Sequence, residues 1–143
     1  MFQTKRKVNQ LIIHCAATRP KMDIGAKEIR DWHVKGNGWA DIGYHYVIRR
    51  DGRIEDGRPV DQIGAHVQGQ NTGSIGICLV GGIDDAGKPQ SNFTEDQWHS
   101  LELAVRAFKM VHPNATIHGH NEYDKGKACP SFDVQKWLKQ ENL

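Results

Sequence analysis

Apolar residues occur in two spacings along this chain, and the spacing sorts its segments into strands and helices. Leu11-Ile12-Ile13, continued by His14-Cys15, is a short apolar run of the kind that forms a buried strand. Ser74–Val80 is a second such run and predicts a central strand. Tyr44–Arg49 and Arg53–Glu55 flank Arg50-Asp51-Gly52, a hairpin signal of the Asp-Gly kind. Strand alternation would place His45 on the opposite face from Tyr44 and Tyr46. Ala115–His118 predicts one more short strand.

The longer spacing marks helices. Ala26–Lys35 follows Asp23 and puts Ile29, Trp32 and His33 on one face, until Gly36-Asn37-Gly38 stops it. A long helix begins near Phe93-Thr94-Glu95-Asp96-Gln97-Trp98. Thr94 with Gln97 fits a capping box there, and Phe93 with Trp98 fits a hydrophobic staple. Trp98, Leu101, Val105 and Phe108 supply its core stripe, and Pro113 ends it. Asp133 is placed to cap a last helix that buries Trp137 and Leu138. Strands alternating with helices predict an α/β fold: one domain, a central mixed β-sheet flanked by helices. Residues 1–10 read as an N-terminal arm and residues 11–143 as the domain.

Length agrees with that picture, since 143 residues suit one compact domain and leave too little for two. A composition of 38% hydrophobic and 25% charged residues is that of a globular chain and excludes a disordered one. The net charge of +2, with scattered Lys and Arg, mildly favours an anionic polymer as partner and does not point to nucleic acid. The basic N-terminal stretch is followed by an apolar run of only three residues. That is shorter than the roughly 7–15 of a secretory signal or the roughly 20 of a membrane helix, so no membrane insertion is expected. The protein is expected in the cytoplasm of the cell that makes it until something releases it.

The three cysteines, an odd number, speak against a disulfide framework. Cys15 and Cys78 lie in apolar runs and read as small core residues. Cys129 stands in the polar stretch Lys125-Gly126-Lys127-Ala128-Cys129-Pro130-Ser131, where a thiol has little to pack against, and a functional role suits it better.

His14 at the end of the first strand, His120 just past another and Cys129 in the following loop form a candidate zinc set. Zinc accepts both nitrogen and sulfur, and three protein ligands leave one tetrahedral position open, as catalytic sites do. The remaining histidines have plainer readings. His33 and His99 lie on predicted helices, where packing or exposure explains them. His112 ends a helix, where it complements the dipole. His66, in Gly64-Ala65-His66-Val67, is a candidate to line a cleft. His118 competes with His120, because His118-Gly119-His120 puts two imidazoles on one face of an extended segment. Residue chemistry leaves that choice open.

Five segments, in order, resemble those of the type 2 zinc amidases: Ile13-His14-Cys15-Ala16-Ala17-Thr18, Gly43-Tyr44-His45-Tyr46, Asn71-Thr72-Gly73-Ser74-Ile75-Gly76-Ile77, Gly119-His120 and Lys127-Ala128-Cys129-Pro130-Ser131-Phe132-Asp133. The similarity is greatest to the small lysozyme-amidases (endolysins) of tailed phages and runs from about Ile12 to Trp137. The fold it implies is shared with the peptidoglycan recognition proteins. The resemblance implies hydrolysis of the amide between the lactyl group of muramic acid and L-alanine of the peptidoglycan stem peptide, with lysis of the bacterial wall. It also implies one catalytic zinc ion held by His14, His120 and Cys129, with His118 outside the set. Tyr44 and Lys127 become the catalytic pair, Tyr44 handling the proton and Lys127 stabilising the oxyanion. His66, Asn71 and Ser74 are further candidates for substrate contacts. A monomer is expected, and a bare catalytic domain suits a thin, exposed wall by analogy.

Three other readings remain. A non-catalytic wall-binding module of this fold typically lacks the cysteine ligand, and this chain has Cys129. A cysteine-nucleophile enzyme would use Cys129 or Cys15 with His120 as base. Some phage relatives also bind their phage's RNA polymerase, a role to which the residues of the N-terminal arm give no support.

Overall fold

The computed structural model describes all 143 residues. Five strands form one mixed sheet: β1 Gln10–Cys15, β2 Tyr46–Ile48, β3 Ile54–Asp56, β4 Ser74–Leu79 and β5 Thr116–Gly119. Their order is β3-β2-β4-β1-β5, with only β3 antiparallel to its neighbour. The three helices are α1 Ala26–Asp31, α2 Glu95–Val111 and α3 Val134–Gln140. This is the single-domain α/β architecture that the strand and helix patterns predict.

Every residue of β1 and β4 is buried, which explains why both read as continuous apolar runs: each face is covered. Leu11, Ile13, Ile75, Ile77 and Leu79 pack on one face with Leu101, Val105 and Phe108 of α2 and with Val134 and Trp137 of α3. Each such fully buried side chain contributes roughly 1.5–3 kcal/mol. The opposite face carries a smaller cluster of Ala26, Ile29, Ile42, Val47, Cys78 and Val80 under α1. Cys15 and Cys78 are buried, as small core residues should be.

The start of α2 follows its local signals. Thr94 Oγ1 accepts from Gln97 N (3.1 Å), and Thr94 N donates to Gln97 Oε1 (3.0 Å). Phe93 and Trp98 meet with ring centroids 5.5 Å apart, completing the staple. Asp133 caps α3 by accepting from Lys136 N.

Three local expectations need correction. The α-helix at Ala26 ends at Asp31 and continues as a π-helical turn over Trp32–Gly36. The wider turn rotates Trp32 off the Ile29 face, leaving it 44% exposed. Tyr44 and Tyr46 do not share a face: Tyr46 joins the large cluster and Tyr44 packs with the smaller one. Strand alternation fails there because β2 begins only at Tyr46.

Residues 1–10 are no free arm. Phe2 is 0% exposed, with its ring edge-on to Tyr46 and Phe108. Phe2 N donates to the Tyr46 hydroxyl (3.0 Å), and His112 Nε2 donates to Phe2 O (2.9 Å). The Arg6 guanidinium donates to the carbonyls of Val60, Thr72 and Ser74. One apolar residue in a polar stretch has no periodicity, so its burial is invisible until distant partners are in place.

Candidate metal centre

Parallel pairing of β1 with β5 sets Ile13 opposite Gly119, so both strands deliver their next residues to one edge of the sheet. Open α/β sheets keep their ligand sites at this carboxyl edge. His14 projects from β1 on the face away from α2 and is only 1% exposed. His120 opens a 3₁₀ turn directly after β5. Cys129 arrives from the turn that precedes α3, and Asn121 N donates to its carbonyl (2.8 Å).

One ligand atom from each of His14, His120 and Cys129 lies within 4.8 Å of the other two. Cys129 Sγ is 3.8 Å from His14 Nδ1. Two such atoms on a tetrahedral zinc would be about 3.6 Å apart, from bond lengths of about 2.3 Å to sulfur and 2.05 Å to nitrogen. The donor chemistry fits as well. Burial, reinforced by His66 and His120, holds His14 well below its ordinary pKa. Burial lowers His120 too, helped by Lys127 and opposed by Asp124. Both imidazoles are therefore neutral, as metal ligation requires. Cys15 and Cys129 are a coupled thiol pair whose mutual hydrogen bond favours ionising one and disfavours ionising the second. In the protein without metal that bond lowers Cys15 to about 7 and raises Cys129, whereas Cys15 N donates to Cys129 Sγ (3.2 Å), a contact that would steady a Cys129 thiolate beside a metal ion.

His118 turns away from the cluster. Its Nδ1 lies 2.9 Å from Glu122 Oε1 and its Nε2 2.8 Å from Thr116 Oγ1. Two imidazoles two residues apart share a face only while the chain stays extended, and β5 ends at Gly119.

Tyr44 lies between His14 (ring centroids 5.0 Å) and His33 (5.5 Å). Burial first, then the neighbouring thiols Cys78, Cys129 and Cys15, push its hydroxyl well above the usual tyrosine range, so it remains a proton donor. His33 braces the Tyr44 loop by accepting from Gly43 N at Nδ1 (2.9 Å). Sequence reasoning missed this role, because helical spacing shows His33 only as a residue packed beside Ile29 and Trp32 or exposed. Lys127 is exposed on the turn two residues before Cys129.

The three candidates for substrate contact lie elsewhere. Ser74 is 0% exposed and His66 9%, both beneath the centre rather than lining it. Asn71 spends its carbonyl oxygen Oδ1 on the backbone N–H groups of His66 and Val67 (2.9 Å each). His66 and Asn71 sit in polar, glycine-bearing sequence that reads as a loop and Ser74 heads a predicted strand, and only the packing shows that His66 and Ser74 are covered.

The sequence profile of the N-acetylmuramoyl-L-alanine amidase family matches residues 4–132. The chain belongs to this family. It is 46% identical to the endolysin of Enterobacteria phage K11 over 142 residues, 99% of this chain and 93% of that protein. That similarity takes in the N-terminal segment. The amidase LysC from Clostridium intestinale URNW superposes with a TM-score of 0.81 at 26% identity, covering 96% of this chain and 87% of LysC. A complex of peptidoglycan recognition proteins LCa and LCx with tracheal cytotoxin aligns with a TM-score of 0.73 at 26% identity, covering 95% of this chain and 83% of that one. The fold is thus the amidase and peptidoglycan-recognition fold, and no helix in it is long and apolar enough to cross a membrane.

In this amidase the burial of His45 behind the centre predicts a stability that is sensitive to acid. His45 is buried, accepts from Gly76 N at Nδ1 (3.0 Å) and reaches Gln62 O through Nε2 (2.8 Å). Burial lowers its pKa to about 4, with Arg6 and Arg58 adding to the effect. The unfolded chain takes up this proton near pH 6.5 and the folded chain does not, so stability falls as pH drops from about 6.5 to about 4. This single group contributes about 2 kcal/mol of that loss between pH 7 and pH 5. Urea unfolding should show the gap between wild type and His45→Asn narrowing by this amount over that range. A gap independent of pH would remove His45 from the account.

Proposed function

We propose that this chain is a zinc-dependent amidase that cleaves peptidoglycan between the muramic acid lactyl group and L-alanine, lysing the bacterial wall. The observation that carries the reading is the convergence of His14, His120 and Cys129 beside Tyr44 at the carboxyl edge of the sheet. The family membership supports the chemistry, and the likeness to a tracheal cytotoxin-bound recognition complex supports a peptidoglycan ligand.

A zinc ion at this centre supplies a Lewis acid for the scissile carbonyl and lowers the pKa of water towards about 7. The remaining work falls to the chain. Tyr44, held protonated, gives its proton to the departing alanine nitrogen and recovers one from the water that adds to the carbonyl. The Lys127 ammonium stabilises the oxyanion that develops on the attacked carbonyl. His14 and His120 stay neutral, and the Cys15 N–H holds the Cys129 thiolate in place.

Cys129 Sγ at 3.8 Å from His14 Nδ1 also admits a second reading, a cysteine nucleophile with a histidine base. One experiment separates the two. Purified protein is assayed for zinc, and digested peptidoglycan is analysed by mass spectrometry before chelation, after it, and after zinc is restored. Stoichiometric zinc, free stem peptides beginning in L-alanine and zinc-reversible inhibition are expected. Activity indifferent to chelation would establish the nucleophile instead, and products cut within the glycan would overturn the proposed bond.

A further inference from the structure

Beneath the centre runs a line of hydrogen bonds that the chemistry above leaves unused. His14 Nε2 lies 2.8 Å from His66 Nδ1, and His66 Nε2 lies 3.2 Å from Ser74 Oγ. Ser74 Oγ in turn lies 3.4 Å from the Asn71 carbonyl. All three side chains are buried.

The far end supplies one self-consistent direction for every proton in this line. A backbone carbonyl only accepts, so the Ser74 hydroxyl donates to Asn71 O and keeps its lone pairs for an incoming donor. That donor is His66 Nε2–H, which leaves His66 Nδ1 without a proton. In that arrangement His14 Nε2 carries the proton between the two rings. The consequence reaches the centre: His14 Nδ1, the atom that faces Cys129 Sγ, is left bare.

We propose that His66 is a positioning residue which, backed by Ser74 and Asn71, locks His14 in the Nε2–H tautomer and aims its Nδ1 at the metal. This inference rests on the zinc reading above. Ligating histidines commonly have their second nitrogen engaged in this way, and losing the partner costs roughly 10–100-fold in metal affinity.

The backbone builds the place for His66. A Cβ on Gly76 of β4 would come within 2.8 Å of the His66 ring, and one on Gly64 would come equally close. Glycine at these two positions lets the imidazole lie flat against the sheet. Asn71 Oδ1 holds the His66 and Val67 N–H groups from the other side. Packing on both faces leaves the ring one orientation, with Nδ1 towards His14.

Two variants separate the acceptor from the bulk. His66→Phe keeps a ring of similar volume without an acceptor, whereas His66→Asn offers Oδ1 near the place of Nδ1. Zinc affinity is measured by competition with a chromophoric chelator. His66→Phe should bind zinc roughly 10–100-fold more weakly than wild type, and His66→Asn should recover most of that loss. A merely structural role predicts that both variants weaken equally, and that result would overturn the proposal, as would unchanged affinity in His66→Phe. If the phenylalanine variant fails to fold, ¹⁵N NMR of the wild-type histidines gives the answer without it. A proton on His14 Nε2 supports the proposal, and a proton on His14 Nδ1 ends it. That spectrum is read on metal-free protein, so it still decides the relay if wild type takes up no zinc, an outcome that would sink the metal reading separately.

Discussion

Cys129→Ser is expected to lose its zinc and, with it, hydrolysis. Thiolate is the one soft, charged donor in the set, and a serine hydroxyl neither ionises near neutral pH nor offers comparable affinity. The loss should exceed the roughly 10–100-fold that removing an outer partner of a ligand costs. Folding should survive, because Ser Oγ can still accept from Cys15 N and the site is only half-buried. Thermal unfolding in excess chelator should therefore place the variant within about 1 kcal/mol of wild type. Metal content by mass spectrometry, read beside peptidoglycan clearing, checks the outcome. Full zinc occupancy in Cys129→Ser would take Cys129 out of the coordination sphere. High added zinc should partly restore the variant, which it could not do for a lost nucleophile.

Lys127→Ala should behave in the opposite sense, keeping its zinc and its fold while losing turnover. The side chain is exposed and stands two residues from Cys129, so its removal opens no cavity. On the proposed mechanism, what disappears is a positive charge beside the developing oxyanion, a kind of contribution worth roughly 10²–10³ in kcat where one donor has been removed. Zinc content and melting temperature should match wild type, while the kcat of stem-peptide release falls by that factor. Near-normal turnover would strike Lys127 from the mechanism. Because Lys127 also helps to lower His120, its loss should raise that imidazole's pKa slightly, visible as a small acid-side change in zinc retention.

The two variants divide the site along a physical line. One side holds the groups proposed to bind the ion, and these are buried, neutral or tied by hydrogen bonds before any ion arrives. On the other side the proposed mechanism puts Tyr44 and Lys127, whose value would appear only as charge moves in the substrate. The proposed relay puts His66 in the first group, although the sequence had suggested a place among the substrate contacts.

The elements that were legible in the sequence are those whose cause is local. β1 and β4 show as unbroken apolar runs because both faces are covered, and α2 carries its capping box and staple within six residues. The kind of ligand set was legible too, since imidazoles with one thiol in a polar turn suit a metal ion whatever the fold. Tertiary structure alone decided which atoms meet. His120 is brought to His14, and His118 turned to Glu122, because β5 stops at Gly119 and the chain bends there. Phe2 enters the core, and Ser74 and His66 drop beneath the centre, only once strands distant in sequence pair in register. Local pattern reflects energies between near neighbours, whereas a three-ligand centre depends on where parallel strands end and turns point, which no single segment contains.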